Sequence, residues 1–98
     1  MQRQGANSSA KRDEATVEAT VRALLAATLG LTKSRVAGFD SDTELFGALP
    51  EFDSMAVANL LTAFEEAFHT VIEDDDVEAE DFMTFGRLTA FAERLAAR

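Results

Sequence analysis

The stretch EFDSMAVANLLTAFEEAF, residues 51–68, decides the fold. Leu60, Leu61, Phe64 and Phe68 recur at helical spacing, which predicts a helix from Ser54 to His69 with one apolar side. Asp53 is a favourable residue just before such a helix, because its carboxylate accepts N–H groups that the first turn leaves unpaired. Ser54 then falls in the first turn, with its hydroxyl free to face water beside the positive end of the helix dipole. An anion such as a phosphodiester is well placed there. Nothing else in the chain offers a nucleophilic group in so defined a setting.

Outward from this helix, the remaining pattern is also helical. Residues 1–12 (MQRQGANSSAKR) are polar and without an apolar period, and are expected to form a flexible tail ahead of a single domain over 13–98. Val17, Val21, Leu24, Leu25 and Leu29 share one face of a first helix, which Gly30 ends. Residues 31–53 show no regular element; Val36, Phe39, Leu45, Phe46 and Leu49 are scattered among Gly38, Gly47, Pro50 and an acidic run. So long a connection is unusual in a compact domain. Its expected task is to pack apolar side chains on the bundle while delivering Ser54 to the surface. Asp74, Asp75 and Asp76 suit the start of a short third helix closing near Phe82. Thr84 opens a last helix with Phe85, Leu88, Phe91, Ala92 and Leu95 in register. The expected fold is all-α: a four-helix bundle with three longer helices, a short third one, and a long loop between the first and second.

Composition narrows the chemistry. The net charge of −9 is uneven: residues 1–39 hold six Lys/Arg against three Asp/Glu, and residues 40–98 hold three against fifteen. The half that contains Ser54 therefore stands at −12, a poor surface for nucleic acid and a good one for a basic protein partner. With no cysteine, the chain has no disulfide, no thiolate metal site and no cysteine nucleophile. No apolar run reaches membrane-span length and no signal-peptide core is present, so a cytoplasmic monomer is expected.

Ser54 is not expected to be a hydrolase nucleophile. That chemistry needs a base within hydrogen-bond reach. The single histidine, His69, lies fifteen residues along the same helix, roughly 22 Å away at ~1.5 Å per residue. No metal site is expected either. Asp40, Asp42 and Glu44 alternate as in a calcium loop, but Leu45 stands where that loop requires glycine, and three consecutive aspartates cannot converge on one ion.

Asp53-Ser54-Met55 resembles the Asp-Ser-Leu signature of acyl and peptidyl carrier proteins, whose serine is esterified by 4′-phosphopantetheine. Other stretches are similar in order and spacing: Val21–Leu25 with Leu29-Gly30-Leu31, Leu61 with Phe64-Glu65-Glu66 and Phe68, Val71–Asp75, and Phe82–Leu88. Together they cover about residues 17–96.

The resemblance implies that the chain is a non-catalytic carrier, with Ser54 as attachment site and Asp53 beside it. A phosphopantetheinyl transferase would supply the group from coenzyme A, with Mg²⁺. Its terminal thiol would then carry an acyl or aminoacyl group as a thioester between loading and condensing enzymes with basic docking surfaces. Partner recognition would run along the second helix, through Met55, Ala58 and Thr62 on one exposed face and the acids Glu65 and Glu66. The alternative for the acids is a plain solvated face.

Three positions depart from the family pattern. Glu51 replaces a glycine, Ala56 and Asn59 are neutral where fatty-acid carriers are often acidic, and the loop before Pro50 is longer. These departures favour a specialised stand-alone carrier in a fatty-acid, polyketide or related pathway. A peptidyl carrier, or a helical interaction module with no prosthetic group, stays open beside it.

Overall fold

The computed structural model describes residues 9–98, with side chains described from Ala15 onward. Helix α1 runs Ser9–Leu29, so it begins ahead of Asp13; residues 1–8 of the expected tail lie outside the described residues. Val17, Val21, Leu25 and Leu29, each four residues from the last, form its buried stripe. Gly30 ends it in the left-handed region (φ 70°), and the Leu31 N–H returns to the Ala26 carbonyl at 3.0 Å. This closure satisfies a carbonyl that the helix end would leave open, at a φ that costs glycine little.

The connection expected to lack regular structure contains one short helix, α2, Lys33–Ala37. Thr32 caps it by accepting the Arg35 N–H at 3.1 Å, and Val36 is its one buried residue. One apolar anchor in five residues makes no period, which is why the pattern was silent. The guanidinium of Arg22 fastens α2 to α1. It donates to the carbonyls of Val36 and, at 3.1 Å, Phe39, pairs with Glu18 at 2.7 Å, and lies 4.5 Å from the centre of the Phe85 ring.

Beyond α2 the loop is stapled to the segment that enters the last helix. Leu45 and Phe46 donate to the carbonyls of Met83 and Phe82 at 2.8 and 3.0 Å, while Phe85 and Gly86 donate to Thr43 and Ser41 at 2.9 and 3.0 Å. An isolated antiparallel bridge between Glu44 and Thr84 is the result. Buried Phe39, Leu45 and Phe52 hold the same loop to the core from its apolar side.

Helix α3, Ser54–Phe68, buries Ala56, Leu60 and Phe64 and stops at His69, which is left-handed at φ 55°. The short third helix is realised as two 3₁₀ turns, Asp74–Asp76 and Ala79–Phe82. Each starts with its own reciprocal box, Glu73 with Asp76 and Glu78 with Asp81, so the chain restarts where a single helix would continue. Helix α4, Phe85–Ala96, is capped by Thr84 and buries Phe85, Leu88, Phe91, Ala92 and Leu95, the residues its period predicted. Helix α1 packs on both α3 and α4, and the core is aromatic at its centre: Phe64 lies against Phe68 and Phe91, and Phe82 against Phe52 and Phe91. The all-α bundle expected from sequence is the fold observed, with the short third helix replaced by 3₁₀ turns and one added short helix in the long loop.

At Gly86 the loop approaches closely. A Cβ there would stand 2.8 Å from both the Cβ and the carbonyl oxygen of Ser41. The obstacle is backbone, so it cannot rotate away. Gly86→Ala is expected to cost about 1–2 kcal/mol, the steric penalty being partly offset by better helix propensity. Chemical denaturation of the two proteins measures it, and equal midpoints would show that the loop yields freely.

Candidate functional site

Phe52, buried to 2 % exposure, anchors the chain immediately before α3 by presenting its ring edge-on to Phe46 and Phe82. The turn leading there is closed by the Phe52 N–H on the Leu49 carbonyl at 3.0 Å, with Pro50 and Glu51 at its centre. Asp53 follows in extended conformation, and its Oδ1 accepts the Ala56 N–H at 2.9 Å. Ser54 is therefore the first helical residue, exposed, with a buried anchor two residues before it and a cap directly before it. The cap takes the third N–H of the helix, leaving those of Ser54 and Met55 without an intrahelical acceptor.

The environment of Ser54 is apolar on one side and polar on the other. A cavity of about 240 Å³ is lined by Ser54 together with Phe46, Val57, Ala79 and Phe82. These four apolar residues were not among the sequence candidates. Val57, one turn on from Ser54, carried a signal in its spacing. Phe46, Ala79 and Phe82 arrive from the loop and the second 3₁₀ turn, and no local pattern connects them to Ser54. A larger groove of about 490 Å³ lies between α1 and α2 and includes none of the candidate residues.

Along α3 the structure separates the expected recognition residues into two groups. Met55 (68 % exposed), Ala58, Thr62 and Glu66 are all exposed and follow one another at spacings of three or four. The Thr62 hydroxyl donates back to the Ala58 carbonyl at 3.2 Å. Glu65 is half-buried instead, and its Oε2 accepts the Ile72 N–H at 2.8 Å, fastening the segment that leaves α3. Its carboxylate thus has a structural partner already.

Sequence reading also missed an ion pair. Arg35 of α2 donates from Nη1 to Glu51 Oε2 at 2.8 Å, joining the short helix to the turn ahead of Ser54. That hydrogen bond, aided by one from the Glu51 backbone, holds the Glu51 carboxyl below its ordinary value. The other oxygen, Oε1, is covered and has no partner.

Among the described residues no imidazole stands by Ser54, and the neighbouring Asp53 carboxylate is engaged with the Ala56 N–H. His69 is exposed and occupies the opposite end of α3. Among the described residues, no three carboxylate or imidazole groups are arranged to hold a metal ion. Asp40, read as part of an alternating acidic run, closes a turn by accepting the Asp42 N–H at 2.9 Å. No helix among the described residues is long and apolar enough to cross a membrane.

An oxygen nucleophile exposed at a helix start, with open N–H groups and an apolar recess beside it, suits a phosphate ester carrying an organic arm. Comparison with known proteins agrees with this chemistry. The model of the phosphopantetheine attachment site family matches residues 19–95. The solution NMR structure of a holo acyl carrier protein from Nitrosomonas europaea is similar at 39 % identity and a TM-score of 0.72, covering 84 % of this chain and 96 % of that one. No curated protein matches the sequence.

Proposed function

Because the chain belongs to the acyl carrier protein family, carrier proteins that bear a covalent 4′-phosphopantetheine, we propose that Ser54 is the residue that bears it here. The observation that carries this reading is the placement of Ser54: exposed at the first position of α3, capped by Asp53, and bordering the apolar cavity. The residues fit the group. Ser54 Oγ would hold its phosphate, and the open N–H groups of the first turn favour the phosphodiester charge. Phe46, Val57, Ala79 and Phe82 offer apolar surface to the pantetheine portion of the arm. When bound, the arm supplies a terminal thiol, which this cysteine-free chain lacks, for holding cargo as a thioester.

Loading is a substitution at phosphorus. Ser54 Oγ loses its proton and forms the new O–P bond to the pantetheine half of coenzyme A. The P–O bond to the adenosine half breaks, and that half departs with the electron pair. The base would come from the transferase: among the described residues, the neighbouring Asp53 carboxylate is engaged with the Ala56 N–H and His69 lies at the far end of α3.

The cargo we favour is acyl, in line with the similarity to a holo acyl carrier protein. A fatty-acid or polyketide-type pathway is the corresponding setting. Transferase and acyl-transferring enzymes would meet the face formed by Met55, Ala58, Thr62 and Glu66, with Glu65 flanking it. Their matching surface would be basic around an apolar pocket for Met55. We place this activity in a cytoplasmic monomer.

The test is intact mass after incubation of the apo protein with a broad-specificity phosphopantetheinyl transferase, coenzyme A and Mg²⁺. A gain of one phosphopantetheine per chain is the expected result. A folded protein that gains nothing would leave Asp53 and Ser54 as a helix cap and no more.

A further inference from the structure

The segment that leads from α3 to α4 passes beside Ser54, because its second 3₁₀ turn gives Ala79 and Phe82 to the recess that Ser54 lines. The two turns of this segment are held differently. Phe82 is buried against Phe52 and Phe91 and belongs to the core. The first turn, Asp74–Asp76, buries no residue, and only Ile72 and Val77 on either side of it reach the core, each partly buried. Apolar packing therefore holds the first turn weakly.

Two side chains tie it instead. Glu65 of α3 accepts the Ile72 N–H on Oε2 at 2.8 Å. Arg98, just past α4, pairs through Nη2 with Asp76 Oδ1 at 2.7 Å and donates from Nη1 to the Val71 carbonyl at 3.0 Å. A further pair, Arg94 with Asp81 at 3.5 Å, is longer and falls on the turn that Phe82 already fixes. Arg98 and Asp76 are 39 % and 25 % exposed, so this tie is weak enough to break and reform within the folded protein.

We propose that residues 70–79 form a hinged wall of the recess beside Ser54, held closed by Glu65 and Arg98 and opening when either lets go. The hinge is the second turn, which Phe82 anchors. Movement of the first turn away from the bundle draws Ala79 with it and uncovers Val57, which lines the same recess from α3. Glu65 is also the acid that flanks the docking face of α3, so closure of the wall and docking share one carboxylate. The wall is built from this chain's own side chains, whether or not Ser54 bears a prosthetic group.

The chain has no cysteine, so a single one placed in the recess reports its opening without background. The full chain carrying Val57→Cys, a partly buried position, is labelled with iodoacetamide alone and in combination with Arg98→Gln or Glu65→Ala. Circular dichroism first confirms that each protein is folded, and ~150 mM salt screens distant charges from the thiol. Arg98→Gln is expected to speed labelling about two- to fivefold, the change in open fraction that a partly exposed ion pair controls. Glu65→Ala leaves the Ile72 N–H without its charged acceptor and is expected to speed labelling about tenfold. Ala26→Cys, partly buried on α1 outside the recess, is expected to label at the same rate in all three backgrounds. If either Arg98→Gln or Glu65→Ala leaves labelling at Val57→Cys unchanged, the proposal is overturned. An equal acceleration at Ala26→Cys also overturns it, since the variants would then loosen the whole bundle. Failure of Ser54 to accept phosphopantetheine would leave these rates untouched, so the two readings fail separately.

Discussion

Ser54→Ala is expected to abolish loading completely while leaving the fold and its stability nearly unchanged. The two halves of this result have separate causes. The modification needs an oxygen at position 54 to form the ester bond to phosphorus, and alanine has none. Stability is insensitive because the hydroxyl does little for the fold: Ser54 is exposed, and the first turn is capped by Asp53, whose carboxylate accepts the Ala56 N–H. Exposed substitutions of this kind stay within about 0.5 kcal/mol, which for a domain of this size is about 2–4 °C in melting temperature. Intact mass and a thermal melt on the same sample read both halves. A variant that still gains a phosphopantetheine would place the attachment elsewhere. One that melts far below wild type would show that Ser54 is structural.

Phe64→Ala is expected to have the opposite profile, removing about 3–5 kcal/mol of stability without touching any group that takes part in loading. Phe64 is fully buried, and its ring meets Phe68 at 5.8 Å and Phe91 at 6.1 Å between centroids. It therefore joins α3 to α4 at the centre of the core. The bundle cannot close the space left by the ring without moving α3, because Phe91 is itself fixed against Phe82. For a domain whose total stability is on the order of 5–15 kcal/mol, this is a large fraction. The melting temperature should fall by at least ~12 °C, as monitored by circular dichroism at the helix band. A fall under about 4 °C would mean that the core is looser than its burial indicates.

The contrast between these residues explains what the sequence could disclose. Phe64, Leu60 and the five buried positions of α4 repeat at helical spacing, so their burial is written in the period. Asp53 and Ser54 were equally legible, because a cap and the residue after it are neighbours in the chain and their chemistry is local.

Contacts between distant segments carry no such mark. The backbone staples from residues 41–46 to 82–86 use N–H and carbonyl groups that every residue but proline has. Helix α2 has a single buried side chain, and the two 3₁₀ turns are each too short to show an apolar period. That the Glu65 carboxylate also accepts the Ile72 N–H could not be read from its position on α3, because Ile72 lies beyond the helix end, where no helical spacing leads. The pairing of Arg35 with Glu51 was hidden for the same reason. The departure from the family's glycine at Glu51 was visible; the cation that answers it was not.

The central claim is that one residue, Ser54, receives the prosthetic group, and it is tested most directly by locating the added mass. The chain has five serines, at positions 8, 9, 34, 41 and 54. Proteolysis of the loaded protein and fragmentation of its peptides are expected to place the phosphopantetheine on Ser54 alone, with the other four serines unmodified. The group found on any other serine, or spread over several, would contradict the account.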